Sequence, residues 1–181
     1  DSVFVVDSFS CRLNKGTHKA INRFREFAYK ASRNNTKTCW ILKCDIRKFF
    51  ENIDHDVLKK ILIGYIQNHA ILWMLGQVVD SFSSRPGAGL PLGNLTSQLF
   101  VNIYMNEFDQ FVKHELRAKY YIRYADDFVI LSENKERLAS LIEPIGNFLT
   151  SNLRLSLHPD KVFIKTLASG VDFLGWVNFP D

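Results

Sequence analysis

Residues 121–132 read YIRYADDFVILS. Two apolar runs flank a short polar centre, and Asp126 and Asp127 stand side by side in it. Residues 120–124 and 128–132 have the aromatic and β-branched character of strands. Ala125–Asp127 is short enough for a tight turn, so the stretch predicts a β-hairpin. Adjacent carboxylates repel, and each disfavours ionisation of the other. Asp also suits turns, so the dipeptide alone fits an ordinary solvated turn. What the pair means depends on what the chain brings beside it.

Upstream of the hairpin, residues 95–117 place Phe100, Ile103, Tyr104, Phe108, Phe111, Val112 and Leu116 at helical spacing. The segment before it, SSRPGAGLPLGN (83–94), is the one Gly/Pro-rich stretch and reads as a loop. Residues 54–66, capped by Asp54, and 70–82 read as two further helices, and TCWILKCD (38–45) as a strand ending on Asp45. THKAINRFREFAYKA (17–31) reads as a helix with Thr17 at its N-cap. Downstream, 134–153 is helical, and short strands are expected near 162–165 and 171–177. The order strand, helices, hairpin, helix, strand is that of an α+β fold. It is the split β-α-β (ferredoxin-like) arrangement, an antiparallel sheet with helices on one face. In such a sheet the end of the first strand lies beside the hairpin turn. Asp45 would then meet Asp126 and Asp127 despite the long stretch of chain between them.

The 181 residues suit one domain with a sizeable core. A hydrophobic content of 46% with 15 Phe excludes a disordered chain. No apolar run has the roughly 18 residues of a membrane span, and no signal-peptide pattern follows Asp1. The start at Asp1 is expected to lie inside a longer gene product. Cys11, Cys39 and Cys44 have no metal-ligand spacing and fit a reducing, cytoplasmic setting. The five histidines show no zinc pattern. A net charge of +4 permits a phosphate-rich partner without demanding one.

Three carboxylates converging at strand ends require a cation. Oxygen ligands suit Mg²⁺, and two such ions about 3.5–4 Å apart activate an attacking oxygen and stabilise a leaving one. That is the chemistry of phosphoryl or nucleotidyl transfer.

Several motifs, in order, resemble those of reverse transcriptases. YADD (124–127) resembles their Y-x-D-D box and CDIRKFFENIDH (44–55) their first acidic motif. GLPLGNLTSQLFVNIYMNEFD (89–109) resembles the loop and helix between them. LSLHPDKV (155–162) and VDFLGW (171–176) resemble the two motifs that follow the box. The resemblance covers nearly the whole chain. It implies a palm (38–181, with 69–90 belonging to fingers or to a palm connection), a partial fingers segment (1–37) and no thumb within these residues. It implies RNA-directed DNA synthesis with two Mg²⁺ ions, Mn²⁺ being a substitute. The implied partners are an RNA template, a DNA or RNA primer, dNTPs and an accessory protein, with no membrane.

The resemblance also assigns residues. Asp45 and Asp126 would be the main metal ligands, with the Ile46 carbonyl as a further one and Asp127 as the weaker. Phe50 would stack under the deoxyribose and exclude a 2′-hydroxyl, although one of the adjacent Phe49 and Phe50 is expected in the core. Arg12, with Lys15 and Lys19, would lie near the triphosphate or template. Leu92, Gly93 and Gln98 would flank the nascent base pair, with Gly89 and Gly93 permitting close backbone approach. Tyr124 would pack beside the primer end. Lys161 would protonate departing pyrophosphate. Phe173, Leu174 and Gly175 would form a hairpin that grips the primer. Most reverse transcriptases carry Gln where Leu92 stands and Ser-Pro where this chain has Ser97-Gln98. LGNLTSQ is similar to the motif of diversity-generating retroelement enzymes, which copy adenine unfaithfully, while intron-like and phage-defence enzymes remain alternatives. A nucleotide cyclase or primase palm and a non-catalytic nucleic-acid-binding module are the competing functions.

Overall fold

The protein, a computed structural model, is described over residues 3–180. Its elements in chain order are α1 (Thr17–Ala31), β1 (Trp40–Asp45), α2 (Phe49–Asn52), α3 (His55–Tyr65), α4 (His69–Asp80), α5 (Leu95–Gln110), β2 (Tyr120–Tyr124), β3 (Asp127–Ser132), α6 (Lys135–Leu153), β4 (Phe163–Thr166), β5 (Val171–Phe173) and β6 (Trp176–Asn178). The main sheet runs β2-β3-β1-β4 with every pairing antiparallel. This is the split β-α-β order expected from the sequence. The hairpin partner β3 is inserted between β1 and β2.

Strand alternation divides β1 between two cores. Leu42 and Cys44 enter the larger core with α5 and α6 residues such as Phe108, Leu138 and Ile145. Ile41, with Ile122, Val129 and Leu131, faces a second core built on α1 through Ala20, Phe24 and Phe27. Helices α5 and α6 thus share one face, as expected, while α1 covers part of the other. Both faces being covered explains why FVIL in β3 is a continuous apolar run rather than an alternating one.

The boundaries differ from the sequence reading in four places. Thr17 is not the N-cap of α1. Gly16 caps it at φ 117°, and Thr17 is the first helical residue, its hydroxyl turned to Tyr124. The helix after the loop ends its α-helical part at Gln110 and continues as a π-helical turn, Phe111–Glu115. Asp127 belongs to β3, so the hairpin turn is only Ala125-Asp126. Residues 171–177 are not one strand but part of a hairpin, β5–β6, which turns at Leu174-Gly175 with φ 56° and 79°. Asp54 does cap α3, accepting the Val57 N–H at 3.0 Å. Among the described residues no helix is long and apolar enough to cross a membrane.

Candidate active site

The site begins where β1 ends. Asp45 is the last residue of β1, and the register sets it directly opposite Asp127, the first residue of β3. Asp126 lies in the turn, and its carbonyl accepts the Ile46 N–H at 3.2 Å. The turn closes with Ala125 at φ 55°, a left-handed conformation that costs about 1–2 kcal/mol outside glycine. Asp45 and Asp127 share the parity of Ile41 and Val129, so they project on the face away from α5 and α6. A third segment braces the end of β1: His158 donates its N–H to the Asp45 carbonyl at 2.8 Å, and Ile46 bridges Leu157.

Two lysines balance the acids. Lys161 Nζ lies 3.0 Å from Asp45 Oδ2, and this pairing raises the lysine's pKa. Lys43 Nζ lies 3.2 Å from Asp127 Oδ2 and donates to the Asp172 carbonyl at 2.9 Å. The balance is incomplete. Burial pushes the Asp127 carboxyl up to about 6, with Asp45 and Asp126 adding to the rise and Lys43 opposing it. Asp126 is raised too, chiefly by burial. Asp127 Oδ1 is buried with no hydrogen-bond partner. An ionised oxygen left without a donor is costly.

Among the described residues no three His, Cys, Asp or Glu side chains already form a metal cage. Asp45 and Asp127 are instead held by their lysines. The donor set nevertheless fits a hard cation: three carboxylates on adjoining segments, one with an orphaned buried oxygen.

Beside Asp126 opens a cleft of about 490 Å³, lined also by Lys48, Phe50, Leu90, Pro91 and Leu92. Phe49 is the core member of the phenylalanine pair, and Phe50 is half-buried at the cleft wall. Leu92 is 77% exposed. Gly93 (φ 78°) has open space around it, consistent with room for a ligand. Gly89 does not. At φ 107°, a Cβ there would sit 2.2 Å from Ser84 Oγ, so this glycine serves the loop's own packing. The Gln98 carbonyl accepts the Asn102 side-chain amide at 3.0 Å. Tyr124 accepts from the Thr17 hydroxyl at 3.3 Å.

The basic segment before α1 is bound to its own backbone. Arg12 Nη1 donates to the Val5 and Ser8 carbonyls at 2.6 and 2.9 Å. Lys15 donates to the Val6 carbonyl and Lys19 to that of Asn14. Arg12 therefore organises the segment that enters α1. Leu174 and Gly175 turn the β5–β6 hairpin, and Phe173 is buried, stacked on Phe24 at 5.5 Å.

Two residues escaped the sequence reading. Lys43 could have been noticed as a lysine two positions before Asp45, on the same strand face. Arg123 is 0% exposed in the middle of β2. Its Nε and Nη2 bind Asp109 of α5 at 2.7 Å each, Nη2 also reaches Ser8 Oγ, and Nη1 donates to the Ala125 carbonyl at 3.0 Å. Tyr121 donates to the same Asp109 at 2.6 Å. The guanidinium therefore holds the turn that carries Asp126. The signal was present, since an arginine inside an apolar strand requires a buried anion. Nothing in the sequence named Asp109 as that anion.

Residues 3–177 match the family described as reverse transcriptase (RNA-dependent DNA polymerase). The chain belongs to the reverse transcriptase family. Among curated proteins, this family member is 25% identical over 214 residues to Protein YkfC of Escherichia coli (strain K12), covering 97% of the chain and 55% of that protein. It is 23% identical over 209 residues to the group II intron-encoded protein LtrA of Lactococcus lactis subsp. cremoris, covering 76% of the chain and 34% of LtrA. The chain thus spans about half the length, or less, of these relatives. In fold it is similar to the apo telomerase of Candida tropicalis truncated from its C-terminal domain. The TM-score is 0.72 at 14% identity, over 93% of the chain and 38% of that one. The telomerase of Candida albicans, in complex with a fragment of telomeric RNA, gives a TM-score of 0.69 at 14% identity, over 97% and 34%.

Proposed function

We propose that this reverse transcriptase core carries out RNA-directed DNA synthesis, extending a DNA or RNA primer with dNTPs. The observation that carries the reading is the setting of Asp45 opposite Asp127, with an orphaned carboxylate oxygen and with Asp126 in the adjoining turn, where Asp126 lines an apolar cleft together with Phe50 and Leu92. Asp45, Asp126 and Asp127, with the Ile46 carbonyl, would hold two Mg²⁺ ions, or Mn²⁺ in their place. When bound, these ions would lower the pKa of the attacking hydroxyl and neutralise charge on the triphosphate. The primer 3′-hydroxyl attacks the α-phosphorus of the dNTP, and pyrophosphate leaves. Lys161, which lies 3.0 Å from Asp45 without ions, would be released as the carboxylate takes up a cation and would give a proton to the leaving group. Phe50, half-buried at the cleft wall, would exclude a ribose 2′-hydroxyl and so favour dNTPs. Residues 38–181 act as the palm and 1–37 as part of the fingers, working in the cytoplasm. The test is Mg²⁺-dependent primer extension on an RNA template, with Asp126→Asn beside the wild type. Extension is expected from the wild type and none from the variant; equal extension from both would overturn the assignment.

A second reading concerns fidelity. Leu92 puts an exposed apolar side chain in the cleft where most of the family has an amide. With Gln98, it favours a diversity-generating retroelement enzyme over an intron-like one. Misincorporation is then expected to concentrate opposite template adenine and to fall in Leu92→Gln. An even error spectrum over the four bases would sink this reading.

A further inference from the structure

At the opposite end of the hairpin from the catalytic turn, a cleft of about 410 Å³ opens where β2 begins and β3 ends. Its charged lining is Lys30 and Arg33 from the end of α1, Arg117 and Lys119 from the link into β2, Arg137 from α6, and one acid, Glu133. Five cations against one carboxylate give a local net charge of +4. The whole chain has a formal net charge of +4. The remainder of the molecule is therefore neutral on balance, and the cleft is one local concentration of positive charge.

Part of that charge is already paired. Arg33 binds Glu133 at 2.6 Å, Lys30 binds Glu26 just outside the cleft, and Arg137 donates to the Leu116 carbonyl at 3.1 Å. Arg117 and Lys119 have no carboxylate partner among the described residues. Both are exposed, and they flank Ala118, which is buried and donates its N–H to the Val112 carbonyl at 3.0 Å. Arg117 itself stands in the left-handed region at φ 52°. The backbone that presents these two cations is thus anchored between the turn after α5 and the start of β2. Ser132 lies five residue steps along β3 from Asp127, about 17 Å of strand, so the cleft does not belong to the catalytic end.

We infer that this cleft binds the sugar-phosphate backbone of RNA at a point outside the catalytic cleft. The inference rests on the proposed polymerase reading for its choice of polyanion. Guanidinium groups match phosphate geometry, and a concentration of cations is the electrostatic footprint of a nucleic-acid contact. Tyr120, the one aromatic ring in the lining, is covered by Lys119 at 5.2 Å. The cleft therefore offers phosphate contacts without a base-stacking platform, and binding there is independent of sequence. Its role is to hold template RNA that extends beyond the stretch being copied.

The experiment compares the wild type with Arg117→Gln/Lys119→Gln/Arg137→Gln and with a control, Arg25→Gln/Lys60→Gln/Lys165→Gln, that removes the same charge elsewhere. Equilibrium binding of a long structured RNA is measured across a salt series, alongside primer extension on a short template-primer. Three lost phosphate contacts lower the slope of log K against log salt by about 2–3, and the affinity by roughly 100-fold at 0.1 M salt. The expected result is that loss for the cleft variant only, with extension of the short substrate unchanged. Equal RNA affinity and slope in wild type and cleft variant would overturn the inference, as would an equal loss in the control. So would wild-type binding to poly-glutamate or to anionic vesicles with the same dependence on the cleft. Failure of short-substrate extension in the wild type would count against the polymerase reading alone, because the binding arm is read without turnover.

Discussion

Asp127 is the residue whose environment is least compatible with its charge. Its carboxyl faces Lys43, yet burial still holds its pKa up at about 6, and Oδ1 has no donor. The folded-state value exceeds the ordinary carboxylate value of 3.8. The folded state therefore binds more protons than the unfolded chain between about pH 4 and 6, and stability falls as pH rises through that window. Asp127→Asn removes the penalty. In the absence of divalent ions it is expected to be more stable than wild type at pH 7 by about 1–3 kcal/mol, and to lose this advantage below about pH 4. Urea melts at the two pH values measure the difference. The same variant is expected to lose most primer extension. An Asn variant less stable at pH 7 would show that Lys43 and solvent already satisfy the charge. Phe50 belongs to the same scale. Phe50→Ala empties the cleft wall and is expected to relax dNTP preference over NTP by about tenfold or more, read as the ratio of kcat/KM values. An unchanged ratio would place the discriminating contact elsewhere.

The β2–β3 hairpin shows how an element can be legible while its support is not. Its strands, turn and apolar faces follow from YIRYADDFVILS, because period, turn residues and length are local properties. The same holds for α3, whose cap and apolar spacing are contiguous. Misread features depended on distant partners or on backbone detail. Thr17 looked like a cap, but its hydroxyl meets Tyr124 from another element. The π-helical turn after Gln110 keeps helical periodicity, so it could not be told from more α-helix. The break at Leu174-Gly175 is too short to divide an apolar run by composition. Arg123 is the clearest case, since the three groups that take its four hydrogen bonds come from α5, the hairpin turn and the segment before α1. Removing one member of a buried pair strands the other, at about 3–5 kcal/mol, whereas replacing both by apolar groups restores much of the stability. Arg123→Met is expected to be strongly destabilised, and Arg123→Met/Asp109→Leu to recover. If the guanidinium also positions the turn, the double variant keeps its melting temperature yet loses activity, and the amides of residues 125–127 exchange faster with solvent. Full activity in the double variant would reduce Arg123 to a packing role.

At the scale of the molecule, the site is a junction of three segments that the sheet order makes neighbours: the end of β1, the β2–β3 turn and residues 157–161. The three acids could be placed from sequence because the split β-α-β order fixes which strand ends adjoin. Lys43 could not, because it looks like an ordinary surface charge until the register is known; Lys161 was singled out by resemblance, but its pairing with Asp45 shows only once the chain's return beside β1 is known. Their pairing gives the junction two states. Without ions, Lys161 and Lys43 occupy Asp45 and Asp127. With the proposed ions bound, the carboxylates would exchange a lysine for a cation and the junction would be knit more tightly. A ligand present at ten times its Kd stabilises the folded state by about 1.4 kcal/mol, which for a chain of this size raises the melting temperature by about 3–6 °C. Mg²⁺ is expected to produce such a rise in the wild type and none in Asp126→Asn. Lys161→Gln separates competition from catalysis. Losing its 3.0 Å contact with Asp45 frees a ligand oxygen, so the variant should reach half of its thermal shift at lower Mg²⁺ than the wild type. It also loses the proposed proton donor, so its kcat should fall even at saturating Mg²⁺. A variant that binds Mg²⁺ more weakly would show that Lys161 orients Asp45 for the ion rather than competing with it. Unchanged kcat would remove Lys161 from the leaving-group step.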